Sequence, residues 1–108
     1  MKTFNFENFT CKLGENAPDN WSLLDTSKKE YKFFHLSSFP SGYVILEYEE
    51  EPTDIMIYTS ANLCKEYSKY KNLNHIKVDW CQCDNLQKGE KVGEVYFKSN
   101  RKVRQNKV

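Results

Sequence analysis

The chain has 108 residues, room for one domain with a single core. Its 39% hydrophobic and 15% aromatic residues can fill that core, while 29% charged residues solvate the outside. Such a composition excludes a polar, disordered chain. The N-terminus, Met1 to Asn8, meets charge before any apolar run. The longest apolar stretch, Tyr43-Val44-Ile45-Leu46, is far too short to cross a bilayer. Neither a secretory signal nor a membrane-spanning helix is read, and a cytoplasmic protein with reduced cysteines is expected.

Phe4 and Phe6, then Phe9, Cys11 and Leu13, flank the polar Glu7-Asn8 and predict two short strands of a hairpin, ended by Gly14. Pro18 and Asp19 are helix-start residues, so a helix of about two turns is predicted over the segment ending at Leu24. A polar connection follows from Asp25 to Glu30. Tyr31 to Leu36 is rich in strand formers and runs into the turn segment Ser37-Ser38-Phe39-Pro40-Ser41-Gly42. Tyr43 to Glu49 reads as the next strand.

Pro52, Thr53 and Asp54 open the stronger helix, which the apolar spacing of Ile57, Ala61, Cys64 and Ser68 carries to about Lys71. Ile76, Val78 and Trp80 alternate with Lys77 and Asp79 as a strand, and Gly93 to Phe97 forms another. Leu86 to Val92 reads as a loop. The tail from Lys98 to Val108 carries Lys98, Arg101, Lys102, Arg104 and Lys107, with Val103 the one apolar residue before the terminal Val108. The whole predicts a single α+β domain over residues 1–108. It has a mixed or antiparallel sheet, one long and one short helix, and a basic, flexible tail.

The formal net charge of +1 hides an asymmetry. Residues 1–64 hold five lysines against ten acids, a net of −5, and residues 65–108 hold eleven cations against five acids, a net of +6. A basic half favours an anionic partner, with binding that weakens as salt rises, although a charge run is equally the look of a solvated surface. Cys81 and Cys83 form a C-x-C pair with no second pair or nearby histidine to complete a zinc tetrahedron, so both are expected on one strand face against the core. No cofactor or metal is expected. Only His35 and His75 could act as a neutral-pH base, neither lies in a catalytic motif, and no phosphate-cradling glycine loop is present, so no enzyme is expected. His35 could border a polar pocket with Ser37, Ser38 or Ser41.

Five blocks in order carry a family likeness: Gly14 to Asn20, Lys32 to His35, Pro40 to Leu46, Tyr67-Ser68-Lys69, and Lys88 to Val95. Together they resemble the NFACT-R domain family over about Phe9 to Val103. The resemblance implies an α+β RNA-binding domain. Large members join it to an NFACT-N domain and coiled coils and work on tRNA during ribosome-associated quality control; one smaller member is described as a DNA sensor. Where the family has Asp-Leu-Trp-Phe-His, this chain has Tyr31-Lys32-Phe33-Phe34-His35, and Pro-Gly-Ser-His is replaced by Pro40-Ser41-Gly42-Tyr43. The chain stops after the domain, so a bare module is expected.

Residue by residue, the resemblance carries Asn20, His35, Ser68, Lys69, Lys88 and Lys91 to nucleic-acid contact. Charge adds Lys65, Lys71, Arg101, Lys102 and Arg104. The expected partner is RNA, either tRNA or rRNA, with DNA as a second polyanion and no membrane. The alternative is a protein-interaction module docking on a ribosomal or quality-control partner through the acidic stretch Glu47 to Asp54.

Overall fold

The computed structural model describes all of residues 1–108. Eight strands form in chain order: β1 Lys2–Asn5, β2 Phe9–Leu13, β3 Lys32–Leu36, β4 Val44–Tyr48, β5 Lys77–Gln82, β6 Leu86–Lys88, β7 Val95–Phe97 and β8 Arg104–Lys107. Six of them build one sheet in the order β1-β2-β4-β3-β5-β8, and β6 with β7 makes a separate hairpin. Every pairing is antiparallel.

Two helices cover the sheet, α1 Ala17–Thr26 and α2 Asp54–Glu66. Asn16 caps α1 by accepting the Asp19 N–H, and Pro18 sits in the first turn, where its missing N–H costs nothing. Thr53 caps α2 by accepting the Met56 N–H at 3.3 Å.

Alternation along the strands divides the core between two faces. Phe34, Leu36, Val44, Leu46 and Val78 pack with Ile57, Ala61 and Cys64 of α2. Phe33, Ile45 and Cys81 point the other way and pack with Leu23 of α1, with Leu86, Val95 and Phe97 of the hairpin around them. Each fully buried Leu, Ile or Phe removes enough apolar surface to contribute about 1.5–3 kcal/mol, so both faces have strong reasons to keep their helix.

The α+β domain is as the sequence predicts, with five differences of detail. Cys83 does not share a strand face with Cys81, because β5 ends at Gln82 and Cys83 opens the turn Cys83–Asn85. The first helix runs on to Thr26, where the Thr26 hydroxyl donates to the Ser22 carbonyl at 3.1 Å and the Ser27 hydroxyl to the Leu23 carbonyl at 2.6 Å. The second stops at Glu66: the Ser68 hydroxyl donates to the Lys65 carbonyl at 2.7 Å and accepts the Tyr70 N–H at 3.1 Å, which competes with further helical bonds. Ser68 therefore lies outside the helical stripe. The segment expected as a loop holds β6, whose short, polar sequence gives no alternation to detect. The tail expected to be flexible contributes β8, an edge strand whose charges suit a solvent-facing edge.

Candidate nucleic-acid interface

His35 lies on β3 one residue from Phe34, so strand alternation turns it away from α2 and onto the α1 face beside Phe33. The Phe33 and His35 rings are 2° from parallel with centroids 6.4 Å apart. Tyr43 stands edge-on to both, at 4.8 Å and 5.6 Å, and Phe97 of the hairpin stands edge-on to Phe33 at 6.5 Å. The β3–β5 register places Asp79 opposite His35. These residues, with Asn20, Ser37, Ser41 and the segment 93–95, line a cavity of about 390 Å³.

Its polar groups are fixed by their neighbours. The Asn20 Oδ1 accepts the Tyr43 N–H at 3.2 Å, so its Nδ2 is the group left to offer a donor to the cavity. Ser41 accepts the Leu36 N–H at 3.1 Å and donates to the Gly42 carbonyl. Gln105 of β8 donates through Nε2 to Asp79 at 2.8 Å and to Ser37 at 3.3 Å, which ties the edge strand to the cavity mouth. The Tyr43 hydroxyl donates to the Gly93 carbonyl, and burial with the Glu94 charge pushes its pKa up to about 12.

The His35 Nδ1 is 2.7 Å from the Leu36 carbonyl, which can only accept, so the proton of the neutral ring sits on Nδ1 and Nε2 is an acceptor. Burial lowers the His35 pKa below its ordinary 6.5, against the opposing pull of the Leu36 carbonyl, Asp79 and the Ser41 carbonyl. The ring is thus neutral at neutral pH.

The cations expected to act together are split by the sheet. Lys65, Ser68, Lys69 and Lys71 sit at and just beyond the end of α2, on the layer covering the opposite face from His35. Lys88 is already engaged: it pairs with Asp25 and lies 4.9 Å from the Trp21 ring centroid. With Lys91 it borders a second hollow shared with Glu90 and Glu94. Of the residues expected to touch nucleic acid, only Asn20 and His35 line the cavity.

Arg101, Lys102 and Arg104 form a different group. They lie in the turn Asn100–Lys102 and on β8, beside Lys107, which pairs in register with Lys77. None of these five cations makes an ion pair, whereas Lys12, Lys32 and Lys88 do. A shallow hollow lined by Asp79, Phe97, Asn100, Val103 and Gln105 shares Asp79 and Phe97 with the cavity, and Asn100 and Gln105 are chain neighbours of Arg101 and Arg104.

Asp79, Phe97 and the Gly93 turn are parts of the site that the sequence does not announce. Asp79 is legible only as an outward position of a strand; which strand it faces is a matter of pairing. Ser37 and Ser41 do border His35, and Ser38 does not.

No family model matches the chain. It is 27% identical over 95 residues to "Rqc2 homolog RqcH" of Streptococcus suis, covering 85% of this chain and 17% of that protein. The C-terminal part of the fibronectin/fibrinogen-binding protein of Streptococcus suis has the same fold. It shows a TM-score of 0.83 and 25% identity over 93% of this chain and 40% of that one. The chain therefore has a distant NFACT-related link and spans about a sixth of the length of RqcH.

Proposed function

We propose that this domain binds RNA, holding backbone phosphates along the β8 edge, in a setting linked to ribosome-associated quality control. The observation that carries the reading is the set of Lys77, Arg101, Lys102, Arg104 and Lys107, which has no carboxylate partner and lies as a rim along the β8 edge; Lys77 and Lys107 share the face of Asp79 and the aromatic-walled cavity, whereas Arg104, opposite Trp80, is on the other. A basic track next to stacking surfaces is the arrangement that single-stranded nucleic acid requires, and phosphate contacts position the chain without reading sequence. The similarity to RqcH and the NFACT-R resemblance supply the ribosomal setting and favour tRNA or rRNA over DNA. The role is binding and not catalysis.

Filter binding of tRNA and of single-stranded RNA across a salt series tests this. Binding that tightens steeply as salt falls is expected; absence of binding at low salt would sink the proposal.

A second reading has its own observation. Ile55 and Tyr58, 75% and 51% exposed, stand on the outer face of α2 next to Glu50, Glu51 and Asp54. That patch suits a basic protein partner, and the structural relative named as a fibronectin/fibrinogen-binding protein is described by its protein ligands. Capture of a ribosomal or quality-control partner that survives nuclease treatment and is lost in Ile55→Ala/Tyr58→Ala would favour it.

A further inference from the structure

The cavity beneath His35 holds no lysine or arginine, so it does not repeat the phosphate chemistry of the rim. Its walls are the rings of Phe33, His35, Tyr43 and Phe97. Its polar lining is mostly accepting: the neutral His35 presents Nε2, and Asp79 keeps one carboxylate oxygen beyond the one held by Gln105. The one free amide donor is the Asn20 Nδ2. At about 390 Å³ the space lies within the range of small-molecule sites.

We propose that this cavity receives one unstacked nucleobase bearing an exocyclic amine, while the flanking phosphates lie on the β8 rim. The inference rests on the RNA-binding reading above and deepens it. A flat aromatic heterocycle suits the ring walls. Its amine N–H groups meet the Nε2 and carboxylate acceptors, and a ring nitrogen or carbonyl takes the Asn20 N–H. Uracil has no exocyclic amine and offers a single imino N–H, so it satisfies fewer of these groups than adenine, cytosine or guanine. Rim and cavity meet at Gln105, Asp79 and Phe97, which places the base site one short step from the phosphate track. The acidic lining also explains why the base site and the cations are separate: a phosphate here would face Asp79 and Glu94 with no compensating charge.

The test uses the full chain and free nucleosides, which carry no phosphate and so bypass the rim. Adenosine, cytidine, guanosine and uridine are titrated by NMR, following the His35 ring, the Asn20 side-chain amide and the Tyr43 backbone amide. Saturable shifts at these three groups, insensitive to salt, with uridine weaker by at least about threefold, are expected. His35→Phe keeps the aromatic wall and removes the Nε2 acceptor; it should weaken nucleoside binding roughly tenfold, the weight of about one buried hydrogen bond. Ser37→Trp, at the mouth, should block binding without touching the core. Nucleosides that leave all three groups unmoved would overturn the base site, and RNA binding that persists in Ser37→Trp with unchanged affinity would do the same while leaving the RNA reading intact. Nucleosides that seat in the cavity when no RNA binds at low salt would overturn the RNA reading alone.

Discussion

Gly14 and Asn20 are packed so closely that a Cβ on Gly14 would stand 1.9 Å from the Asn20 Oδ1 and 3.2 Å from the Asn20 Cα. That approach lets Asn20, from α1, accept the Tyr43 N–H and hold the entry to β4. Gly14→Ala forces the amide aside and should cost about 1–3 kcal/mol, as overpacking does. Asn20→Ala strands the Tyr43 N–H and should cost a similar amount. Because both act through the same side chain, the double variant should be less destabilised than the sum of the two single variants; urea unfolding of the four proteins measures this, and simple additivity would contradict the coupling.

Leu23 joins α1 to Phe33, Tyr43, Ile45 and Cys81 and is 1% exposed. Leu23→Ala should destabilise the protein by about 2–5 kcal/mol, through reduced burial and a residual cavity. Hydrogen exchange should then speed most in α1 and the β6–β7 hairpin, since α2 packs on the other face.

The buried His35 makes stability depend on pH. Its folded pKa is below 6.5, so the unfolded chain takes up the proton more readily than the folded one. The contribution of His35 is complete above the unfolded value and is lost as pH falls through and below it. Urea unfolding between about pH 7.5 and about pH 5 should show wild type losing more stability than His35→Phe. Equal slopes would show that the ring is not held neutral by burial.

All four thiols are held above their ordinary range by burial. Cys11 and Cys81 are pushed up to about 11 and Cys83 to about 12, and Cys64 is raised further still. Native protein at neutral pH should react with a thiol reagent far more slowly than denatured protein, because the thiolate is the nucleophile. One fast-reacting cysteine in the native state would contradict this.

Arg101, Lys102 and Arg104 should set the salt dependence of RNA binding. Replacing all three with Gln should lower the slope of log affinity against log salt by roughly 0.7 for each single-strand phosphate that is no longer neutralised. The same change at Lys65, Lys69 and Lys71, on the far side of the sheet, should lower it less. A larger effect from the α2 lysines would move the interface to that face.

Local chemistry determined much of this protein by itself. The strand formers of Tyr31 to Leu36, alternation in Ile76 to Trp80, the turn residues around Pro40, and the start signals at Pro18 and Thr53 depend on neighbours in the chain, so six of the eight strands, both helices and the α+β class were legible. The charge asymmetry and the place of His35 beside its serines were legible too. Only the tertiary structure decided which residues meet. Register set Asp79 opposite His35, the sheet put Lys69 and His35 on opposite sides, and β8 gathered the tail cations into a rim. Those relationships come from pairing and packing between segments far apart in sequence, where no local period records the partner, and they divided the expected cations between the α2 side and the edge of the sheet.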